Sequence, residues 1–283
     1  MNNWKLRINH LLEMIIKARY EYLPVRSCSV NPAADGKNIV VSLTSYGSRL
    51  RQVHICIKSL LNQSVRPNKI VLYISEDEVI SGGKIPKNLR KLEKKGLEII
   101  WKGIDDIKPH KKYFYAFQNY LDAIIVTVDD DAIYDKNLIH DLIESYKMFP
   151  ECVSARRVHR ILHDDHGRVM SYNDWDYECV DVLEPSNELL HTGVGGVLYP
   201  PSCLKNYCFT VKEIKDYCLN ADDIMIKFME LKAGIKVKFV DGGKMNPIDI
   251  GRSWETGLTK QNVQKNQNDV YIKSMEEFTG IRL

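Results

Sequence analysis

A short apolar stretch that ends in three consecutive carboxylates constrains the fold of this chain more than any other feature. Residues 123–128 read Ala-Ile-Ile-Val-Thr-Val and run directly into Asp129, Asp130 and Asp131. A run of β-branched residues of this length is typical of a strand that is buried on both faces, as in the middle of a parallel sheet. Because open α/β sheets bind ligands at the carboxyl ends of their strands, we expect the three carboxylates at a binding site.

Adjacent carboxylates repel one another unless a positive charge lies between them. Their oxygens are hard ligands that suit Mg²⁺ or Mn²⁺, and these ions keep open positions for substrate phosphate oxygens. The sequence therefore predicts a divalent cation, bound together with a phosphorylated substrate, at the end of this strand. The alternative that stays open is a polar loop in front of a helix over residues 136–148, which Asp135 would cap.

Strands and helices alternate through the first half of the chain. This alternation predicts an α/β protein with a parallel sheet and right-handed crossovers. The glycine-rich fingerprint of dinucleotide-binding folds and the phosphate-binding loop of P-loop enzymes are both missing from the sequence, so neither class is supported. Apolar patterns predict strands at 38–46, 69–74 and 97–101, and helices at 51–62, 86–95 and 109–121.

The second half of the chain is less regular. Strands are predicted at 152–158, 196–199 and 236–240, and a helix at 220–234 begins with Asp222 and Asp223, which helix capping alone would also favour. The glycine-rich segment 191–201 is either an ordinary tight loop or a place where backbone approaches a ligand closely. Three further features are a basic cluster (Arg156, Arg157, His159, Arg160), a polar and aromatic segment at 164–187 that suits a surface insertion, and a segment at 242–270 expected to be a loop or tail that folds over a ligand.

Composition bounds the partners and the compartment. A net charge of +3 over 283 residues gives no case for nucleic acid as a partner. The seven cysteines are irregularly spaced and include no CxxC pair, which indicates reduced thiols and a cytoplasmic protein. The sequence shows no signal peptide and no apolar run long enough to cross a bilayer. Residues 4–23 predict a basic amphipathic helix, which either packs on the main domain or makes a peripheral contact with anionic lipid headgroups at the inner face of the plasma membrane.

Five sequence features occur in an order that resembles the GT-A glycosyltransferases, close to the family 2-like enzymes of bacterial surface and capsular polysaccharide synthesis. The resemblance implies a Rossmann-like, mostly parallel sheet flanked by helices. Residues 1–36 would then be an N-terminal helix and linker, and residues 37–283 a single catalytic domain with a nucleotide-sugar half (37–150) and an acceptor half (151–283). The features are Val-Ser-Leu-Thr-Ser-Tyr at 41–46 with Arg49, the Lys112 segment, Val-Asp-Asp-Asp at 128–131 as the DXD motif, the loop 193–196, and Asn-Ala-Asp-Asp at 220–223.

The same resemblance implies a role for each candidate residue on the donor side. The expected cofactors are a divalent metal (Mn²⁺ or Mg²⁺) and a UDP-sugar donor. Thr44, Ser45 and Tyr46 would line the nucleoside pocket, with Arg49 near the base or phosphates and Glu76 or Asp77 touching the base. Lys112 would contact the diphosphate. Asp129 and Asp130 would belong to the donor site, with Asp129 reaching the ribose, the metal or its water, and Asp131 would bind the metal directly.

On the acceptor side, the resemblance implies that Gly195 and Gly196 flank the sugar and the acceptor. One of Asp222 and Asp223 would be the catalytic base of an inverting enzyme, and Asp223 is favoured. The sequence departs from many relatives in one respect, since no histidine follows His191 to complete the metal site. The metal would then be held by Asp131, phosphates and water, or Asn246 or Asp249 would take the place of that histidine.

The chemistry of glycosyl transfer gives two separate acidic clusters distinct tasks. The leaving nucleoside diphosphate gains negative charge, which a metal and a lysine stabilise, while a carboxylate removes the proton of the attacking hydroxyl. We therefore expect an inverting transferase that acts on a glycan or lipid-linked acceptor. Three alternatives stay open: a retaining transferase on the same scaffold, a non-catalytic sugar-nucleotide or glycan-binding module, and a metal-dependent phosphoryl or nucleotidyl transferase.

Overall fold

A seven-stranded, mostly parallel sheet forms the centre of the computed structural model, which describes residues 14–22, 24–31, 36–80, 84–242, 247–250 and 266–283. The sheet contains β1 (Ile39–Thr44), β2 (Lys69–Tyr73), β3 (Leu97–Ile100), β4 (Ile124–Thr127), β6 (Val153–Ala155), β10 (Val197–Tyr199) and β11 (Val237–Phe239). Outside it lie β5 (Ala132–Ile133), β7 (Val158–Arg160), β8 (Asp176–Tyr177), β9 (Leu189–His191) and β12 (Ile248–Asp249).

The strand order across the central sheet is β11, β6, β10, β4, β1, β2, β3. Strand β1 pairs in parallel with both β2 and β4, and β2 pairs in parallel with β3. The exception is β10, which runs antiparallel between β4 and β6 with Val197 opposite both Thr127 and Ala155. The α/β class and the mostly parallel sheet predicted from the sequence are confirmed.

Helices cover both faces of the sheet, which is why its strands are apolar on both sides. On β1, Ile39, Val41 and Leu43 belong to one buried cluster, while Val40 belongs to the other. The helices are α1 (14–22), α2 (Val53–Leu61), α3 (Glu76–Ile80), α4 (Lys87–Glu93), α5 (Lys111–Asn119), α6 (Leu138–Met148), α7 (Val211–Tyr217), α8 (Asp222–Ala233) and α9 (Gln267–Thr279), with 3₁₀ turns at Gly47–Arg51, Lys108–His110, Tyr172–Asp174, Gly193–Gly195 and Lys205–Tyr207.

The strand directions bring distant parts of the chain to one edge of the sheet. Strands β1, β2 and β4 all end there, because they are parallel. Since β10 runs the opposite way, it begins at this edge, and the 3₁₀ turn that precedes it also lies there. Strand β6, antiparallel to β10, ends at the same edge and delivers the residues that follow Ala155. The carboxylates after β4 therefore face segments from the second half of the chain.

Two interpretations of the second half were incomplete. The segment 164–187 is more than a surface insertion, because Tyr172 and Trp175 are buried and β8 pairs with β7 in a three-stranded sheet with β9. The segment 242–270 was expected to be a loop or tail, but its last residues begin α9, which packs on α7 and α8 with Ile272 and Met275 buried. Residues 243–246 and 251–265 lie outside the described residues.

The N-terminal prediction of a helix over residues 4–23 is tested in part. Residues 14–22 are helical, while 1–13 and 23 lie outside the described residues. Met14, Ile15 and Tyr22 are exposed on this helix. Among the described residues, no helix combines the length and the apolar character that crossing a bilayer requires.

Candidate functional site

A cavity of about 670 Å³ opens at the edge of the sheet where β1, β2 and β4 end. This volume falls in the range typical of sites for small-molecule ligands. Its walls come from the residues that follow β1 and β4, from the start of α5, from the turn before β10, and from the start of α8. The cavity therefore lies at the carboxyl edge of the parallel strands, the position at which α/β sheets bind ligands.

One end of the cavity carries the residues expected to hold a nucleoside. Thr44 and Tyr46 line it, and Tyr46 is half exposed with the Arg49 guanidinium 5.3 Å from the centre of its ring. Ser45 is buried beside Asp130 and does not line the cavity. An exposed aromatic ring next to a fixed cation offers a flat surface on which a base can stack.

The acidic residue that faces the cavity after β2 is neither Glu76 nor Asp77. Glu76 instead accepts a hydrogen bond from the backbone N–H of Gly103 at 2.9 Å. Glu78 lines the cavity, and its Oε1 accepts a hydrogen bond from the N–H of Gly47 at 2.9 Å. Of the three acidic residues that begin α3, only Glu78 therefore lines the cavity.

The three consecutive carboxylates all line the cavity, but one arginine serves two of them. Nη1 of Arg49 lies 2.9 Å from Oδ1 of Asp130 and 3.0 Å from Oδ2 of Asp131. Burial, together with the charges of Asp129 and Asp130, raises the pKa of Asp131 to about 7 against the opposing effect of Arg49. Negative charge is therefore in excess at Asp131, where a further cation would relieve it.

Backbone hydrogen bonds fix the turn that carries these carboxylates. The N–H of Val128 donates to Ser42 on β1 at 3.1 Å, and the N–H of Asp129 donates to the Tyr134 hydroxyl at 2.9 Å. On the far side, β12 pairs with β5 and places Asp249 opposite Ala132, next to Asp131. The charge of Asp249 also raises the pKa of Asp131, so the two carboxylates are electrostatic neighbours.

This donor set fits a hard divalent cation. Asp131 supplies an oxygen at a place of excess negative charge, and Asp249 approaches from the facing strand. Among the described residues, these carboxylates do not converge into a three-ligand cage. Mg²⁺ and Mn²⁺ sites that take one or two carboxylates and complete their shell with phosphate oxygens and water need no such cage. Asn246, the other predicted substitute for a histidine ligand, lies outside the described residues.

A buried lysine links the two acidic clusters. Nζ of Lys112, at the start of α5, lies 2.7 Å from Oδ1 of Asp129 and 3.0 Å from Oδ2 of Asp222. Burial alone would lower the pKa of Lys112, but Asp129, Asp222 and Asp223 hold it well above its ordinary value. Lys112 is therefore a permanent cation in the cavity wall, as a contact for phosphate requires.

The backbone of Gly193 packs directly over this ion pair. A Cβ at this position would lie 2.7 Å from the Lys112 Nζ and 3.1 Å from Oδ1 of Asp129, so a side chain here would require the Lys112 ammonium to move. Gly195 and Gly196, the predicted flanking residues, lie beside the cavity rather than in its wall. A Cβ on Gly195 would strike Arg157, and one on Gly196 would strike Leu138. Their small size serves packing, and Gly193 is the glycine that faces the ligand space.

The two carboxylates at the start of α8 have different surroundings. Asp222 is buried against Lys112, which lowers its pKa against the effect of burial. Asp223 faces the cavity, and its Oδ1 accepts a hydrogen bond from the N–H of Gly193 at 3.2 Å. Desolvation of the carboxylate and the neighbouring charge of Asp222 raise the pKa of Asp223 to about 7, which suits a general base near neutral pH.

A buried histidine, His191, lies next to the Asp223 carboxylate. Nδ1 of His191 lies 3.9 Å from Oδ1 of Asp223, and its Nε2 lies 3.2 Å from Oε1 of Glu230 on α8. Burial opposes a charge on His191, but Glu230 and Asp223 raise its pKa above the ordinary value. Lys227 lies 3.4 Å from Glu230 and donates to the carbonyl of Leu189. This cluster balances charge behind the candidate base.

Sequence reasoning gave no role to a basic segment that leads into α5, at residues 108–111. Lys108, Lys111 and Asp106 line the cavity, and Asp106 pairs with both lysines. These lysines lower the pKa of Asp106 to about 2 against the effect of burial. Lys108 also has a positive φ of 51°, which a residue with a Cβ adopts at some cost. The signal available in the sequence was the local density of lysines at 108–112, of which only Lys112 was given a role.

The predicted basic cluster after β6 divides into structural and cavity residues. Arg156 pairs with Asp135 and donates to the carbonyl of Gly242, and Arg160 pairs with Asp176 and Asp181. Only Arg157 and His159 reach the cavity, where Tyr172 and Tyr177 of the supposed surface insertion join them, together with Asn268 of α9.

Comparisons with known proteins support the fold. No protein-family model and no curated protein matches the sequence. The mannosyltransferase PcManGT from Pyrobaculum calidifontis, solved in complex with GDP-Man and Mn²⁺, has a TM-score of 0.56 at 11% identity, over 96% of this chain and 72% of that one. The chain therefore has the GT-A-type α/β fold that the sequence resemblance implied.

Two further solved structures are similar at TM-scores below 0.5, and the fold assignment does not depend on them. S. aureus TarS 1–349 in complex with UDP has a TM-score of 0.48 at 14% identity, over 73% of this chain and 58% of that one. The CMP:2-keto-3-deoxy-manno-octonic acid synthetase complexed with CTP has a TM-score of 0.46 at 10% identity, over 81% of this chain and 99% of that one.

Proposed function

We propose that this protein is a glycosyltransferase that moves a sugar from a nucleoside-diphosphate donor to a hydroxyl group of an acceptor. The observation that carries the proposal is that two separate acidic clusters, one after β4 and one at the start of α8, line the same cavity. Asp131 sits in excess negative charge at the end of β4, while Asp223 faces the same cavity from α8, and Lys112 lies between the two clusters. A nucleoside-binding end with Tyr46 and Arg49 completes the donor side.

On the donor side, a bound divalent cation would neutralise the charge that grows on the diphosphate as the glycosidic bond breaks. Asp131 and Asp249 are the residues that would hold it. Lys112 supplies a fixed positive charge in the wall, and the segment of Lys108 and Lys111 adds to it. These groups stabilise the leaving group by position and charge, without transferring a proton.

On the acceptor side, Asp223 would accept the proton of the attacking hydroxyl. A carboxylate with a pKa of about 7 is ionised in half of the molecules at neutral pH and is a stronger base than an ordinary carboxylate. The N–H of Gly193 orients it, and His191 stabilises its negative charge. A base on the acceptor side implies an inverting reaction. Asp222 would instead position Lys112, so we assign the two predicted catalytic carboxylates different roles.

The donor and acceptor of this proposal are suggested by the sequence resemblance. The sequence resemblance favours a UDP-sugar, whereas PcManGT was solved with GDP-Man, so both nucleotides belong in the donor test. We propose a glycan or lipid-linked acceptor, within a catalytic domain over residues 37–283. The exposed Met14, Ile15 and Tyr22 of α1 support a peripheral contact of this helix with membrane lipid headgroups.

A donor screen tests the proposal. The purified protein is incubated with a panel of UDP-, GDP- and CMP-sugars in Mn²⁺, with EDTA as the control, and the released nucleotide is identified. We expect a nucleoside diphosphate, no release in EDTA, and an inverted anomeric configuration of the product by NMR. Release of a sugar 1-phosphate in place of a nucleoside diphosphate would indicate nucleotidyl transfer instead. Retention of configuration would remove Asp223 as the base, and binding without any release would indicate a non-catalytic module.

A further inference from the structure

Four aromatic side chains pack together at the part of the cavity wall formed by β7, β8 and the 3₁₀ turn before β8, and we call this cluster the ledge: His159, Tyr172, Trp175 and Tyr177. Tyr177 on β8 is 39% exposed and lines the cavity, with its ring centre 4.4 Å from that of His159 and 5.6 Å from that of Tyr172. Trp175 packs beneath Tyr172 at 4.8 Å between ring centres and is buried. An accessible ring that packs against two others, one of which rests on Trp175, is a rigid, flat and apolar surface inside an otherwise charged cavity.

The start of α9 fixes this ledge from the other side. Asp269 accepts hydrogen bonds from the Ser171 hydroxyl and from the N–H of Tyr172, both at 2.7 Å. The preceding residue, Asn268, also lines the cavity and is only 6% exposed. Its Oδ1 has no hydrogen-bond partner among the described residues. A buried amide oxygen without a donor is costly, and a ligand hydroxyl would satisfy it.

The ledge carries no free charge. Burial, with the neighbouring charge of Arg157, lowers the pKa of His159 to about 4, so this imidazole is neutral at physiological pH. Its Nδ1 accepts a hydrogen bond from the N–H of Glu178 at 3.0 Å. Arg157 is neutralised by Glu178 at 2.7 Å, and its Nη1 donates to Thr192 at 2.8 Å. The surface therefore suits a neutral ligand with one apolar face and several hydroxyls.

The ledge also connects to the candidate base. Thr192, which Arg157 holds, immediately precedes Gly193, whose N–H binds Asp223. Burial and the negative charge of Asp223 together raise the pKa of the Tyr172 phenol, so the two side chains are electrostatic neighbours. A ligand seated on the ledge would thus present its groups towards Asp223.

We propose that Tyr177, Tyr172, His159 and Asn268 form the acceptor subsite, and that it binds a neutral pyranose ring. The C–H face of the sugar stacks on Tyr177, and one of its hydroxyls donates to Oδ1 of Asn268. A second hydroxyl then points to Asp223 as the nucleophile. This inference rests on the proposed function, because it assigns the acceptor of that same site as the uncharged terminal sugar of a glycan.

Saturation-transfer NMR tests the subsite without any turnover. Methyl α- and β-hexopyranosides are the probes, and methyl hexuronides are their charged counterparts, each added to the protein with Mg²⁺ and UDP or GDP. We expect ring protons of at least one neutral glycoside to be saturated, and the hexuronides to give a weaker effect. Y177A and N268A should each weaken glycoside binding about three- to tenfold, while Y177F should retain most of it.

Controls separate this inference from the proposed function. M148A truncates an exposed side chain at the end of α6 that does not line the cavity, so it should leave glycoside binding unchanged. Thermal unfolding of each variant checks its folding. The absence of any glycoside binding, equal binding in Y177A and N268A, or a preference for hexuronides would overturn the subsite. Calorimetry of UDP and GDP binding on the same samples reports the donor site separately. Glycoside binding without nucleotide binding would contradict the proposed function and leave the subsite standing.

Discussion

Replacement of Lys112 by methionine should destabilise this protein strongly, and by an amount that depends on pH. The side chain of Lys112 is 5% exposed and forms ion pairs with both Asp129 and Asp222. Methionine keeps an unbranched apolar stem of similar length and removes the ammonium group with its charge and hydrogen-bond donors. Since the side chain of Asp129 is 32% exposed, solvent screens it, and most of the cost falls on Asp222, which is 10% exposed.

Removal of one partner from a buried ion pair costs about 3–5 kcal/mol, because the other charge is left buried. Domains unfold with a free energy of about 5–15 kcal/mol, so this loss is a large share of the total. At about 2–4 °C per kcal/mol for chains of 150–250 residues, K112M should unfold roughly 6–20 °C below the parent protein.

The sign of the pH dependence follows from Asp222. In the parent protein Lys112 lowers the pKa of Asp222, so its stabilising contribution is present above the unfolded pKa and lost only as pH falls through the folded value. In K112M the carboxylate is buried without a partner, and burial raises its pKa. The variant therefore loses stability as pH rises, and its deficit should be larger at pH 7.5 than at pH 5.

Thermal unfolding followed by circular dichroism at both pH values measures the deficit. The matched control is K212M, which removes one partner of an exposed ion pair between Lys212 and Asp216, and whose unfolding temperature should not change measurably. If K112M unfolds at the temperature of K212M, or if its deficit is larger at pH 5 than at pH 7.5, the electrostatic account of Lys112 is wrong.

Three further predictions concern the cavity. D223N should lower the rate of transfer about 10²- to 10⁴-fold while nucleotide binding is retained, and the parent rate should fall as pH drops below about 7, because only the ionised carboxylate accepts a proton; equal rates in steady-state assays would exclude Asp223 as the base. Burial and the charges of Asp129 and Asp130 raise the pKa of Asp131 to about 7, so in EDTA the parent protein should lose stability as pH rises from 5 to 8. D131N should lose less stability over the same range, as measured by thermal unfolding. An equal loss in both proteins would contradict this prediction. G193A should reduce transfer more than it reduces stability, because its Cβ displaces the Lys112 ammonium, and a crystal structure of the variant with Lys112 unmoved would refute that reason.

The order of elements could be read from the sequence because each has its own strong local signal. The β-branched runs that became β1, β2 and β4 are buried on both faces, and such runs predict inner parallel strands. The carboxylates at 129–131 could be placed at the ligand edge for the same reason. Position along the chain was enough, since the end of a parallel strand fixes the edge on which its next residues lie.

Roles that depend on tertiary partners could not be read in this way. Asp222 and Asp223 are adjacent at the start of one helix, and only the packing of Lys112 against the first separates a charge partner from a candidate base. Helix α9 was missed because its buried positions Ile272 and Met275 are few and are preceded by polar sequence. Its stability comes from contacts such as the stacking of Phe278 on Tyr217, with ring centres 4.0 Å apart.

The placement of β10 has a consequence for how this chain can fold during synthesis. Strands β4 and β6 are consecutive members of the central sheet along the chain, yet they do not touch, because β10 lies between them. The ribosome therefore releases β6 before the strand that joins it to the rest of the sheet exists. Until residue 199 has emerged, an open edge remains on β4, and the nascent chain must keep that edge from pairing with another molecule. A fragment cut after residue 150 would carry the same exposed edge permanently and should aggregate.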